Sequence, residues 1–250
     1  MSKDESSPQN LEGRRVLITG GTTGVGRATA ARFASAGCRV FICGRNQEHL
    51  ADAISAIRSA GGQVSGLSAD LSSSGGVAGV FHAADEWMGP PEIVVLNAGI
   101  ASHGELADMS HEECRQVIDI NLLSYIHGAL EALKRMKLAG AGQILMTGSM
   151  SAEIFDERAA VYVAAKSGIR GFAGSLRKEA NQAGIRVSLI EPGSIGSDMV
   201  DETPEQQRRM QEEGRMLRAE DVARALFFIA SQPAGCDVIT LQVRPHLQLI

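Results

Sequence analysis

The sequence predicts a single α/β domain built on a parallel sheet covered by helices on both faces. Three observations carry this. Short runs rich in Val, Ile and Leu alternate with helical patterns from residue 15 to residue 243, which is the signature of strands buried on both sides. The first run ends in a glycine-rich turn that opens directly into a helix. The chain has 250 residues, enough for one large core and short of what two such domains need.

In chain order, residues 1–12 are polar and carry no apolar leader segment, so they read as a flexible tail ahead of a domain over 13–250. Arg15-Val16-Leu17-Ile18-Thr19 is the first strand. Gly20, Gly24 and Gly26, with Thr22, Thr23 and Val25 between them, form the turn, and Ala28 to Ala36 the helix. Such a turn lets the backbone approach a pyrophosphate, whose charge the helix N-terminus stabilises. The spacing is G-x-x-x-G-x-G, which departs from the general G-x-G-x-x-G fingerprint.

Arg39 to Cys43 is the second strand, followed by Gly44-Arg45 and a helix over Gln47 to Ala60. An acid at this strand end would bind an adenosine ribose hydroxyl, whereas an arginine accommodates a 2′-phosphate. Arg45 therefore favours NADP over NAD, unless it is only a solvated arginine. Gln63 to Ser68 is a third strand leading to Asp70-Leu71, and Ser72 to Met88 a helix holding the one Trp, Trp87, as a core residue. Ile93 to Leu96 is a fourth strand ending in Asn97-Ala98-Gly99. Alone, that tripeptide reads as a turn and Asp70 as a helix cap.

Met109 to Lys137 carries one long helical pattern containing Asn121, and Gly142 to Thr147 is a fifth strand that delivers Ser149. Val161 to Glu179 is helical by its Ala content and by Ile169, Phe172 and Leu176, so Tyr162 and Lys166 are i and i+4 neighbours on one face. A phenol with an ordinary pKa of about 10 holds its proton at neutral pH, and an adjacent ammonium is expected to pull that value down and make Tyr162 a usable acid/base. Ile185 to Ile190 is a sixth strand ending at Pro192-Gly193. Residues 198–216 lack a clean apolar stripe, and 194–216 read as a substrate loop and mobile lid. Ala219 to Ala230 is a further helix and Val238 to Val243 the last strand.

The formal net charge of -5, with no basic block, argues against nucleic acid or an anionic membrane as the main partner. No apolar run reaches membrane-spanning length. Cys38, Cys43, Cys114 and Cys236 show no C-x-x-C spacing, which points to a reducing, cytoplasmic setting. The six histidines lack metal-ligand spacing, so no metal is expected. His103, Asp156, Glu157 and Arg158 either face a substrate or are solvated loop residues. Met150, Met199, Met210 and Met216 are candidates for an adaptable apolar pocket, some of them for ordinary packing. Leu122, Leu123, Ile126 and Leu130, with Ile169, Phe172 and Leu176, exceed one core-facing stripe per helix and suggest a homo-oligomer, and the apolar tail 247–250 is expected to dock on its own or a neighbouring subunit.

Taken together, Thr19-Gly20-x-x-x-Gly24-x-Gly26, Asp70, Asn97-Ala98-Gly99, Asn121, Ser149, Tyr162-x-x-x-Lys166 and Pro192-Gly193 resemble the short-chain dehydrogenase/reductase family in both order and spacing. The resemblance spans roughly residues 13 to 243. It implies a doubly wound Rossmann-type fold with a seven-stranded parallel sheet flanked by helices, bound NADP(H), an alcohol/carbonyl substrate, and commonly a tetramer, or a dimer. On this chain it implies Tyr162 as general acid/base and Ser149 as partner of the substrate oxygen. Lys166 would hold the nicotinamide ribose, and Asn121 would position a water. Asp70 and Leu71 fall to the adenine end, Asn97, Ala98 and Gly99 under the adenosine, and Ile195 beside the carboxamide. Two departures leave the catalytic group intact: Leu96-Asn97 replaces a usual Asn pair, and Ser194 or Ser197 must supply the hydroxyl expected after Pro192-Gly193. The C-terminus differs too, reading Gln242-Val243-Arg244-Pro245-His246-Leu247 where the family often has Asp-Gly-Gly, an ending similar to one NADP-linked subset. A cofactor sensor without turnover is the competing class, and Ser149, Tyr162, Lys166 and Asn121 together argue against it.

Overall fold

The structure, a computed structural model, describes residues 8–200 and 202–248. Seven parallel strands stand in the order β3-β2-β1-β4-β5-β6-β7. They are β1 (Arg15–Thr19), β2 (Arg39–Gly44), β3 (Gln63–Ser68), β4 (Ile93–Leu96), β5 (Gly142–Thr147), β6 (Ile185–Pro192) and β7 (Thr240–Val243). The order reverses between β1 and β4, and the crevice beyond their carboxyl ends is where ligands bind in open sheets of this kind.

Helices cover both faces. On one side α3 (Ser74–Met88), α5 (Ser124–Ala139) and α7 (Ala160–Ala180) pack on Leu17, Val94, Leu96, Ile144 and Met146. On the other, α1 (Gly24–Ser35), α2 (Gln47–Ser59) and α9 (Ala219–Ala230) pack on Val16, Ile18, Ile93, Val95 and Leu145. Successive side chains of a strand point to opposite faces, so β1, β4 and β5 divide their apolar residues between two cores. That is why these strands read as unbroken apolar runs. Trp87 is only partly buried, packing on Phe41 at 6.2 Å between ring centroids under the Arg39 guanidinium.

The expected helix over Met109 to Lys137 is interrupted. It consists of α4 (His111–Ile118), a π-helical turn over Asp119–Leu123, and α5. A π turn inserts one residue without changing composition, so a periodicity search runs through it. Of the remaining helices, α6 (Ser151–Ile154) is a single turn, and α8 (Pro204–Glu212) lies within the segment expected to be a lid. That segment is not wholly detached, since Met216 is buried and Ile195 bridges to Leu217.

Ile169 and Leu176 are buried in the subunit's own core, and Phe172 packs partly against it. The apolar surplus expected on α7 is therefore its own core stripe, while Leu130 and Leu138 remain exposed. At the C-terminus the Leu247 amide donates to the Gly214 carbonyl and the Ser194 amide to Gln248 Oε1, so 247–248 fold onto their own subunit. Leu249 and Ile250 lie outside the described residues.

The N-terminal segment docks earlier than its polarity suggests. The Gln9 amide donates to the Ser231 carbonyl at 2.7 Å, Leu11 is 3 % exposed, and Cys38 Sγ donates to the Leu11 carbonyl at 3.1 Å. One leucine among polar neighbours is a weak signal in sequence and a full anchor in the fold. Burying such a side chain contributes about 2 kcal/mol. Leu11→Ala should therefore lower the melting temperature by roughly 4–8 °C. Calorimetry showing no change would place 8–12 in the tail after all.

Candidate active site

Four other helices carry a side-chain N-cap: Asn46 on α2, Ser73 on α3, Ser110 on α4 and Thr203 on α8. At α1 the N-cap residue is Thr23, its side chain makes no capping bond, and the first turn has no acid. The free amides and the positive end of the helix dipole face the crevice, ready for an anion. Glycine is needed around this turn for close approach. A Cβ on Gly26 would stand 1.9 Å from the Gly20 carbonyl oxygen, and one on Gly20 2.8 Å from Ala98 Cα. Gly24, at φ +49°, meets only Ser197 within 4 Å and is open to the crevice.

The crevice is a cavity of about 640 Å³. Gly20, Thr22, Thr23, Gly24 and Val25 line one end with Arg45, Asp70 and Leu71. Asn97, Ala98 and Gly99 form its floor, and Pro192, Gly193, Ser194, Ile195 and Ser197 its far wall. Ser149, Tyr162 and Lys166 complete the same cavity. Gly26 and Asn121 do not line it. Gly26 lies beneath the turn, and Asn121, fully buried on the π turn, accepts from the Ile100 amide and donates to the Ile100 carbonyl, each at 2.9 Å. Asn97 is also an anchor, its side chain donating to the carbonyls of Thr19 and Gly20.

At the adenosine end Arg45 is exposed. A Cβ on Gly44 would stand 2.6 Å from the Thr22 side chain, so an acid cannot replace Gly44 without moving Thr22. Asp70 is an Asx turn rather than a cap: its Oδ1 accepts from the Ser72 amide, while Ser73 caps α3. Hydrogen bonds from Ser72, then the charge of Arg45, hold the Asp70 carboxyl below its ordinary range. These features fit a dinucleotide, with the open end of α1 suited to an anion.

At the other end Tyr162 and Lys166 stand one turn apart on α7, as their spacing predicts. Lys166 is 4 % exposed and donates to the Thr147 carbonyl at 3.1 Å, an oxygen that also accepts from Tyr125 Oη at 3.0 Å. Its Nζ lies 5.6 Å from the centre of the Tyr162 ring. The expected depression of the phenol is not found. Burial, together with the negative charge of Asp156, pushes the Tyr162 pKa up against the opposing effect of the Ser149 hydroxyl. Burial also pulls Lys166 down to about 8. Sequence spacing reports adjacency, but desolvation depends on depth, and here depth dominates.

Several lining residues were not anticipated: Asn46, His49, Ile154 and Gln248, together with Thr147, whose buried Oγ1 has no partner. They come from strand and helix ends and the C-terminal segment, which the fold gathers at one crevice and no local pattern encodes. Met150 and Met199 line the cavity, whereas Met210 and Met216 do not. His103 and Asp156 line it too, while Arg158 is turned to a salt bridge with Glu105. Among the described residues no three His, Cys, Asp or Glu side chains gather as a metal site, and no helix is long and apolar enough to cross a membrane.

This fold and constellation define a class, and the chain belongs to the short-chain dehydrogenase/reductase family, oxidoreductases that use nicotinamide cofactors. Residues 14–208 match the family model described as short chain dehydrogenase. A 3-oxoacyl-[acyl-carrier-protein] reductase, FabG, of Chlamydia pneumoniae is 34 % identical over 226 residues, covering 89 % of this chain and 91 % of the relative. Oxidoreductase asL5 of Sarocladium schorii is 35 % identical over 239 residues, covering 92 % and 93 %. Among solved structures, an actinorhodin polyketide ketoreductase with NADPH is similar at TM-score 0.85 and 27 % identity, covering 96 % of this chain and 98 % of that one. A metagenomic short-chain oxidoreductase in complex with NADP is similar at TM-score 0.83 and 27 % identity, covering 96 % and 100 %.

The buried ammonium has a consequence for stability. Below pH 8 it is charged in the folded and unfolded chain alike, and a pKa lowered from 10.5 to about 8 corresponds to a cost of about 3 kcal/mol. Between 8 and 10.5 the unfolded chain holds the proton and the folded one does not, so this group makes stability rise with pH. Lys166→Met should accordingly raise the melting temperature of the cofactor-free protein at pH 7 by several degrees and remove that alkaline rise. A lower melting temperature would show that the bond to Thr147 outweighs the burial.

Proposed function

We propose that the protein is an NADP(H)-dependent oxidoreductase that moves a hydride between nicotinamide and an alcohol/carbonyl substrate, with Tyr162 as general acid/base. The observation that carries this reading is the convergence of Ser149, Tyr162 and Lys166 on one cavity whose opposite end is the uncapped N-terminus of α1. The bound nicotinamide would supply or accept the hydride at carbon.

The chain's own residues handle the oxygen. In reduction, Ser149 turns its hydroxyl toward the carbonyl oxygen and stabilises the charge that develops there. Tyr162, a phenol that holds its proton at neutral pH, gives that proton to the oxygen. In oxidation it takes the proton back, which demands a phenolate and so gains from rising pH. Lys166, which lines the same cavity, offers donors toward a ribose. Asn121 holds the 99–100 backbone in place through Ile100 and, on this reading, positions a water behind Lys166.

Exposed Leu130 and Leu138 on α5 support assembly with further copies of the chain, and buried free thiols at Cys38 and Cys43 suit a reducing, cytoplasmic setting. Burial raises both thiols, to about 11 and about 12, so they stay protonated and inert.

Tyr162→Phe removes the transferable proton and leaves the cofactor cavity intact, so kcat for carbonyl reduction should fall by about two orders of magnitude with little change in NADPH affinity. Turnover retained in that variant would end the role. Titration of both cofactors should show tighter binding of NADPH than of NADH, and a loss confined to NADPH in Arg45→Ala. Equal affinities would contradict the role of Arg45.

A further inference from the structure

Between Ser149 and Tyr162 the chain builds a hydrogen-bond line that the chemistry above does not use. Ser149 Oγ donates to Ser151 Oγ at 3.0 Å and accepts from the Ser151 amide at 3.1 Å. Ser151 Oγ donates to Asp156 Oδ2 at 2.5 Å. The Ser151 hydroxyl has a single proton, so once it donates to Asp156 it can only accept from the Ser149 hydroxyl. Ser151 gives its proton to Asp156, and Ser149 gives its own to Ser151. In the resting site the hydroxyl expected on the substrate oxygen is engaged with Ser151, while it stays within reach of the Tyr162 phenol.

Asp156 is half-buried in the wall of the same cavity and, among the described residues, has no basic partner. The neighbouring cations are engaged elsewhere: Arg158 with Glu105, and Arg170 with Glu153 and Glu191. Lys166 is turned to the Thr147 carbonyl, and Arg45 stands at the adenosine end. The loop holds Asp156 between two non-glycine residues in left-handed conformation, Phe155 at φ 56° and Arg158 at φ 62°, and is tied down by the Gly104 amide on the Arg158 carbonyl at 2.7 Å. A carboxylate with acceptor positions open to a cavity is a ready partner for a donor carried by a ligand.

We propose that Asp156 determines substrate specificity, selecting carbonyl compounds that carry a hydroxyl or amine one or two carbons from the carbonyl. This rests on Ser149 and Tyr162 acting as described above. When Ser149 turns to the substrate oxygen, Ser151 loses its incoming donor and Asp156 still has acceptor positions open. A donor on the substrate near its carbonyl satisfies both and compensates for breaking the resting line. A substrate carboxylate at that place would meet Asp156, with Asp198 on the same cavity, and be repelled.

The test is reduction by NADPH of three matched aryl ketones: β-hydroxypropiophenone, butyrophenone, which replaces the hydroxyl by methyl, and benzoylacetate, which replaces the hydroxymethyl group by a carboxylate. In the wild type, kcat/KM should favour the hydroxy ketone over butyrophenone by about tenfold, because a site with polar groups left unpaired rejects the analogue lacking the donor. Benzoylacetate should be poorest. In Asp156→Leu the ratio of hydroxy ketone to butyrophenone should fall to near one. The near-isosteric Asp156→Asn guards against misfolding, with NADPH fluorescence confirming an intact cofactor site, and should raise benzoylacetate severalfold relative to the hydroxy ketone. A wild-type ratio near one, or ratios that neither variant moves, would overturn the proposal while leaving the role of Tyr162 standing. Undiminished reduction in Tyr162→Phe, or a wild type that binds NADPH and reduces none of the three, would overturn the parent reading and this one with it.

Discussion

The ammonium of Lys166 lies almost out of reach of water, with the Thr147 carbonyl as a partner and the rings of Tyr125 and Tyr162 at 5.3 and 5.6 Å. A buried charge is tolerated only where the surroundings are fixed, and much of the fold serves that purpose. β5 presents the Thr147 oxygen, and Tyr125 from α5 reaches the same atom. The π turn sinks Asn121 against Ile100, beside Gly99, where a Cβ would stand 2.8 Å from Asn121 Oδ1. The depressed Lys166 and raised Tyr162 pKa values are two results of this one burial. A site whose phenol and ammonium are shifted this way by burial suits a ligand that brings hydroxyls and charge.

The opposite end of the cavity uses the same logic with the backbone. Four helices satisfy their first amides with a side chain, but α1 leaves them open at the reversal of strand order. Glycines let the turn, β4 and α1 close to distances that any side chain would forbid. Donors at one end and a proton-holding phenol at the other are joined by a floor anchored through Asn97. A dinucleotide-dependent reaction needs that span, and a sensor would not need the phenol.

The sheet was legible because strands buried on both faces advertise themselves as apolar runs, and the Tyr162–Lys166 pair because a helix makes i and i+4 neighbours. Less visible was whatever depends on depth or path. Leu11 looks like one apolar residue in a tail, yet its side chain is buried and its carbonyl accepts from Cys38 Sγ. The π turn at Asn121 leaves no trace in composition. Asp156 was read as no more than a choice between substrate contact and solvated loop, because the left-handed residues that aim it, Phe155 and Arg158, are not glycine and give no warning. The downward shift expected of Tyr162 failed for the same reason. Adjacency to an ammonium was readable from spacing, but the removal of water from both groups was not.

The chain contains two tyrosines, and Tyr125 is fully buried with its pKa raised far above the ordinary range, so tyrosinate absorbance reports on Tyr162 almost alone. Titrating that absorbance with and without saturating NADP⁺ tests the assignment of Tyr162 as the acid/base most directly. The cofactor-free protein should form no tyrosinate until above the usual tyrosine range. With NADP⁺, whose oxidised ring carries a positive charge, one tyrosinate per chain should form at lower pH, and that signal should vanish in Tyr162→Phe. A titration that NADP⁺ leaves unmoved, or a signal that survives the substitution, would contradict the account.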